Sequence, residues 1–183
     1  MLIRSAKEDV KYVMITREQI EARVRELGKE LAEKFKDEPP LMICVLRGAA
    51  FFFTDLCKEM DCLMDMDFIA ASSYFGSTKS SGVIHLVKDC DVDMEGRNVV
   101  IVEDIIDSGL TLEYLVKIFQ TRNPKSVTTV TLLDKDVNKP DRFRVDYYGF
   151  KIRDEFVIGY GLDFADYYRN LPYIGVLREE CYQ

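Results

Sequence analysis

Several things that common protein classes require are missing from this sequence. Its five cysteines, Cys44, Cys57, Cys62, Cys90 and Cys181, are odd in number and form no Cys-x-x-Cys pair. Neither a closed disulfide framework nor a zinc ribbon fits, and free thiols in a reducing cytoplasm are the natural reading. Histidine occurs once, at His85, inside an apolar run that reads as a strand. It is read as structural, and no Ser-His or Cys-His nucleophile machinery is available without it. The first ten residues carry Arg4, Lys7, Glu8 and Asp9 and hold no apolar core, so they do not read as a signal peptide. The longest strongly apolar run, residues 41–46, is far too short for a membrane span. Basic charge is also in deficit: 25 Lys+Arg stand against 32 Asp+Glu, a net charge of −7. With no basic stripe, a general double-stranded nucleic-acid binder is excluded, whereas a few basic groups around one small anion are not.

The 183 residues, 48% of them hydrophobic, suffice for one domain spanning 1–183 with a sizeable core. No internal repeat, low-complexity tract or linker divides them. Thr16 and Gln19 have the spacing of a capping box, and Ile20, Val24, Leu27, Leu31 and Phe35 follow at helical spacing until Pro39 and Pro40 end the element. Residues 41–46 read as a buried strand and 49–60 as a helix. In 64–71, Met64, Met66 and Phe68 alternate with Asp65 and Asp67, the mark of another strand. The Ser- and Gly-rich stretch 72–82 reads as a loop that could close over a site. Strands follow at 83–87, 98–102 and 126–133, with a helix at 111–121. Two shorter apolar stretches, 145–150 and 156–160, are expected to finish the sheet. Strands alternating with helices imply an α/β fold with a central, mainly parallel sheet flanked by helices, and the terminal segments are expected to pack as a small hood.

Residues 99–111, VVIVEDIIDSGLT, carry the chemistry. A buried strand leads to Glu103 and Asp104, and then to Asp107, Ser108, Gly109, Leu110 and Thr111 opening a helix. Ligands of open α/β sheets sit outside the carboxyl ends of the strands. There, successive amides at a helix N-terminus form an anion cradle, and the two carboxylates suit vicinal hydroxyls or water on a cation. A phosphorylated sugar matches both halves. The bland alternative is an acidic loop with Asp107 or Ser108 as helix cap. The stretch is not a Walker A loop, which needs four residues between its glycines and a Gly-Lys-Ser/Thr ending. Asp89, Asp91 and Asp93 imitate the start of a calcium loop, but Met94 and Val100 stand where that loop needs Gly and Glu.

VVIVEDIIDSGLT resembles the phosphoribosyl-pyrophosphate motif of the type I phosphoribosyltransferases. The wider pattern of ITREQI, VLRGAAFF, SSYFGSTKSSG, LLDK and FVIGYGLDFADYYRNLPYIGVL is similar to the hypoxanthine-guanine branch across nearly the whole chain. The resemblance implies a type I phosphoribosyltransferase fold and a purine-salvage reaction. In it the 5-phosphoribosyl group passes from phosphoribosyl pyrophosphate to hypoxanthine or guanine, giving IMP or GMP and pyrophosphate with Mg²⁺. It further implies roles by position. Glu103 and Asp104 would hold the ribose hydroxyls and contribute to the metal site. Asp107 would be the general base near the purine N7, and Ser108, Gly109, Leu110 and Thr111 would form the 5′-phosphate loop. Lys135 would donate to the 6-oxo group, Phe156 would stack on the purine, and the Val157 backbone would meet its far edge. Asp163 would be a Mg²⁺-linked carboxylate. Leu46, Arg47, Gly48 and Arg169 would contact pyrophosphate, and Ser73 and Tyr74 would belong to the closing loop. Arg47 departs from the family's commoner Leu-Lys-Gly turn, which works largely through its backbone.

Taken one at a time, these residues have plainer readings: Lys135 solvated at a strand end, Phe156 in the core, Asp163 capping a turn, Arg169 paired with Asp166. The shared register with residues 99–111 joins them into one site. Lys135 opposes adenine, whose 6-amino group is itself a donor, and the FVIGYGLD segment opposes uracil. Xanthine stays open as an alternative base. An RNA-binding regulator on the same fold is the alternative from a different class. The resemblance implies a homodimer or homotetramer, and a cytoplasmic location with no membrane or nucleic-acid partner.

Overall fold

The computed structural model describes residues 5–73, 84–135 and 143–182. After a 3-10 turn at Ala6–Asp9 the chain forms β1 (Val10–Ile15), α1 (Arg17–Lys34), β2 (Leu41–Leu46), α2 (Ala50–Glu59), β3 (Asp65–Ser73) and β4 (Ile84–Lys88). It continues through β5 (Asn98–Ile106), α3 (Leu110–Gln120), β6 (Ser126–Lys135), β7 (Tyr147–Ile152), β8 (Val157–Ile158) and β9 (Ile174–Leu177). The capping box that opens α1 is complete. Thr16 Oγ1 accepts the Gln19 amide at 3.3 Å, and Gln19 Oε1 accepts the Thr16 amide at 2.8 Å.

Six strands form the central sheet in the order β4-β3-β2-β5-β6-β7. All neighbours are parallel except the edge strand β4, which runs antiparallel to β3. Residues 41–45 of β2 are buried, as expected of a strand covered on both faces. Met42 and Cys44 join Val100 and Val102 in one apolar layer with Leu27 of α1 and Phe53 of α2. Leu41, Ile43 and Val45 face the other way and pack with Leu115 and Phe119 of α3. The period of two along the strands thus assigns the helices to opposite faces.

The terminal segments form a second sheet, ordered β1-β9-β8. Ile15, Val157, Ile174 and Val176 from it enter the same apolar cluster as α1 and α2. This is the hood expected from the terminal segments, and it corrects one expectation. The apolar stretch 156–160 does not finish the central sheet: only Val157 and Ile158 are strand, and they pair with β9. The burial phase of β3 is also the reverse of its hydrophobicity. Met66 and Phe68 are exposed while Asp67 is buried, because the segment after β4 folds over it and supplies donors. His85 lies exposed on β4. No disulfide joins any of the five cysteines. Among the described residues no helix is long and apolar enough to cross a membrane.

Candidate active site

The connectivity locates the site. From β2 the chain moves outward to β3 on one side, and β5 lies on the other. The crevice outside the carboxyl ends of β2 and β5 is therefore the switch point of the sheet, where ligands of open α/β folds bind. Leu46 ends β2, and Arg47 and Gly48 follow it. Strand β5 extends past the expected 98–102 to Ile106, so Glu103 and Asp104 lie within its last turns of pleat rather than after it.

These two elements touch. A Cβ built on Gly48 would stand 1.7 Å from Asp104 Oδ2, and one on Gly161 would stand 2.0 Å from the Gly48 carbonyl oxygen. Only hydrogen fits at either place, which lets three segments of backbone and one carboxylate converge. Asp104 Oδ1 accepts the Ile105 amide at 2.9 Å. Burial raises the Asp104 pKa above the ordinary carboxylate value, and the Ile105 amide, Glu103 and Arg169 oppose that rise. Glu103 is raised well above its usual value, by burial first and then by the charge of Asp104 and their mutual hydrogen bond. An upward shift is the direction expected of two adjacent enclosed carboxyls, where burial and like charge both disfavour the ionised form. Glu103 Oε2 is shut off from solvent with no hydrogen-bond partner among the described residues.

A run of left-handed backbone follows β8. Tyr160, Ala165, Asp166 and Tyr168 have φ of 48°, 51°, 68° and 73°. Each costs a residue with a side chain about 1–2 kcal/mol, and such outliers gather at functional sites. Tyr160 is held by its hydroxyl, which donates to Asp55 Oδ2 of α2 at 2.7 Å. Ala165 and Asp166 are the centre of a tight turn closed by reciprocal bonds between Phe164 and Tyr167. Arg169 Nη1 donates to the Gly161 carbonyl at 2.7 Å, and its Nη2 lies 2.8 Å from Asp163 Oδ1 and 3.4 Å from Asp166 Oδ1. Arg47 Nη1 reaches the same Asp166 oxygen at 2.9 Å. The expected Arg169–Asp166 pair is thus present, but Asp163 is the nearer partner. Asp163 also caps the turn, its Oδ2 accepting the Asp166 amide at 2.9 Å.

At the end of β5 Asp107 is exposed, Ser108 half-buried and Gly109 buried. The residue in the cap position is Gly109, at φ 80°, and the Ser108 hydroxyl before it accepts the Leu110 amide at 3.4 Å. The first intrahelical bond runs from the Glu113 amide to the Gly109 carbonyl at 2.9 Å. The amides before it, Leu110 and Thr111 among them, are those a helix start leaves without an intrahelical acceptor. Lys135 ends β6 with only 14% of its side chain exposed, 2.8 Å from Asp154. Asp154 lies two residues before Phe156, so this ion pair ties β6 to the aromatic segment. Phe156 is 39% exposed rather than core. Its ring stacks on Tyr182 at 5.1 Å and meets Phe164 edge-on at 5.6 Å. Val157 is buried in β8. Ser73 ends β3, its backbone paired with Ile84, while Tyr74 and the rest of the expected closing loop lie outside the described residues.

Among the described residues no three His, Cys, Asp or Glu side chains gather as a ready metal site. The enclosed, partner-free oxygen of Glu103 beside Asp104 nevertheless fits Mg²⁺, which takes one or two carboxylates and leaves its other positions to water and phosphate oxygens. Asp154, Asp166, Phe164 and Tyr182 are the residues that sequence reasoning did not place in the site. The left-handed turn around Asp166 has no glycine to announce it.

Comparison with known proteins agrees with this geometry. The family model described as phosphoribosyl transferase domain matches residues 12–165. The chain is 50% identical over 177 residues to the hypoxanthine-guanine phosphoribosyltransferase of Bacillus subtilis (strain 168), covering 97% of this chain and 98% of that protein. It is 47% identical to the hypoxanthine-guanine-xanthine phosphoribosyltransferase of Tritrichomonas foetus, covering 96% of each. A solved hypoxanthine phosphoribosyltransferase from Staphylococcus aureus superposes with a TM-score of 0.93 at 39% identity over 100% of both chains. By the family match over residues 12–165 and the 50% identity over nearly the whole of both chains, the chain belongs to the phosphoribosyltransferase family.

Proposed function

We propose that this protein transfers the 5-phosphoribosyl group of phosphoribosyl pyrophosphate to hypoxanthine or guanine, releasing pyrophosphate and forming IMP or GMP in cytoplasmic purine salvage. The observation that carries the reading is the convergence of Gly48, Asp104 and Gly161 at the switch point, with Arg47 and Arg169 beside them.

The chemistry follows from what each group can do. Displacement at the ribose C1 builds positive charge on the sugar and negative charge on the departing pyrophosphate, so the site must neutralise one end and hold the other in line. Asp104 and Glu103 accept the two ribose hydroxyls and fix the ring, and they would hold Mg²⁺ together with substrate phosphate. When bound, the metal supplies charge neutralisation of the leaving group. Asp163 holds Arg169 and is the further carboxylate proposed near the metal. The Arg47–Gly48 turn and Arg169 bind pyrophosphate oxygens. The amides and hydroxyls of residues 108–111 hold the 5′-phosphate at the positive end of α3. Phe156 stacks on the purine, the Val157 backbone borders it, and Lys135 donates to its 6-oxo group. Asp107, exposed beyond β5, takes or shares the purine proton as the new bond forms.

The test is nucleotide formation from each purine with phosphoribosyl pyrophosphate, with and without Mg²⁺. Turnover of hypoxanthine or guanine that requires Mg²⁺ is expected, and no turnover of any 6-oxopurine would refute the reading. A xanthine-accepting enzyme is the second reading, favoured by the 47% identity to a protein named for that base, and xanthine in the same competition decides it. The protein is proposed to assemble as a homodimer or homotetramer, which light scattering measures.

A further inference from the structure

We infer that Asp166 is a built-in counter-ion for the pyrophosphate arginines and sets the affinity for the leaving group. The inference rests on the proposed assignment of Arg47 and Arg169 to pyrophosphate. One carboxylate oxygen, Asp166 Oδ1, faces both guanidinium groups, Arg47 at 2.9 Å and Arg169 at 3.4 Å. Arg47 and Arg169 come from the end of β2 and from beyond β8, so Asp166 joins two chain segments through their positive charges. Its own position is imposed. Ala165 and Asp166 both take left-handed backbone, and Asp163 Oδ2 pins the Asp166 amide at 2.9 Å.

Arginine presents forked donors that match carboxylate and phosphate oxygens alike, so the two compete for the same N–H groups. With Asp163 and Asp166 opposite them, the two arginines are charge-balanced before any ligand arrives. Pyrophosphate must displace Asp166 in order to bind, and Asp166 can reclaim the arginines as pyrophosphate departs. Arg47 and Asp166 are both largely exposed, 73% and 72% of their side chains, so solvent screens the pair. The competition then amounts to about two- to fivefold in affinity, the span that exposed ion pairs deliver. A site built to release its product gains from that discount, since product release limits turnover in many enzymes.

The experiment is calorimetric titration of Mg²⁺-pyrophosphate into the wild-type chain and into Asp166→Asn, Asp166→Glu, Glu33→Gln and Arg47→Ala. Asparagine is at home in left-handed backbone, so Asp166→Asn removes the charge and keeps the turn. Its expected result is about two- to fivefold tighter pyrophosphate binding, with stronger product inhibition by pyrophosphate and a lower KM for phosphoribosyl pyrophosphate. Loss of a merely structural contact would not tighten binding. Asp166→Glu is expected to stay near wild type. Glu33→Gln, which removes an equal charge from an exposed position of α1 paired with Lys36, is expected to change nothing. Unchanged or weaker binding in Asp166→Asn, equal tightening in Glu33→Gln, or an Asp166→Glu variant as tight as Asp166→Asn overturns the inference. If Arg47→Ala does not weaken binding, the failure lies in the assignment of Arg47 to pyrophosphate.

Discussion

Gly48→Ala tests whether the meeting of β2 and β5 makes the site. Gly48 does not have positive φ, so alanine meets no backbone penalty there. The obstacle is one contact: the new Cβ would lie 1.7 Å from Asp104 Oδ2 and 2.5 Å from its Cγ, where real Cβ atoms essentially never come within 3.0 Å. Either the Asp104 carboxylate withdraws by more than about 1 Å or the turn carrying Arg47 lifts away, and a displacement of that size costs about 10²-fold in rate. In free energy this is about 2.7 kcal/mol of transition-state stabilisation. The turn is backed by Gly161, whose own Cβ would meet the Gly48 carbonyl at 2.0 Å, so Asp104 is the partner expected to give way. The assay is steady-state IMP formation with phosphoribosyl pyrophosphate varied, beside thermal unfolding of the same samples. A fall of about 10²-fold in kcat/KM with little change in Tm is expected. Because both substitutions act on one carboxylate, adding Asp104→Asn to Gly48→Ala should cost far less than the product of the two single losses. Activity within threefold of wild type would refute the reasoning.

Asp107→Asn should lower kcat by about 10²-fold or more while IMP binding, followed by calorimetry, changes little; unchanged turnover would remove Asp107 as the base. Lys135→Ala should lower kcat/KM for hypoxanthine about tenfold or more and narrow the preference for 6-oxo over 6-amino purines, read from competition between hypoxanthine and adenine. Asp67→Asn probes stability away from the site. Burial alone would raise the Asp67 pKa, but the Cys90 thiol and the amides of Phe68, Asp91 and Val92 donate to its carboxylate and hold it well below 3.8. A carboxylate depressed by folding stabilises the native state above its unfolded pKa and loses that contribution as pH falls through the folded one. The variant should be about 1–3 kcal/mol less stable in urea at pH 7, and the gap should close below about pH 4; a gap independent of pH would refute the role of the charge. Burial pushes the thiols of Cys44 and Cys57 up to about 12, and burial together with the Asp67 carboxylate does the same to Cys90. All three should resist iodoacetamide at pH 8 in the native protein and label on unfolding.

The elements legible in the sequence are those whose cause is local. Thr16 and Gln19 cap α1 through contacts three residues apart, and β2 needs only an unbroken apolar run between two breakers. The acidic pair and the helix start of 99–111 are legible for the same reason, since all their parts lie on one strand and one turn. The phase of β3 was not legible, because Asp67 is buried by donors some 25 residues on, and four hydrogen bonds outweigh the pull of Met66 and Phe68 toward the core. Nor was the fate of 156–160, where β9 is a nearer partner than β7 for the same apolar residues. Arg47 and Asp166 lie 119 positions apart, and their pairing exists only because Gly48 and Gly161 let two turns touch. By itself the sequence determined which groups could handle a phosphorylated sugar. The tertiary structure alone decided which of them meet, because the order of strands in a sheet and the packing of turns at its edge are non-local, and no residue's own preference encodes its partner across that distance.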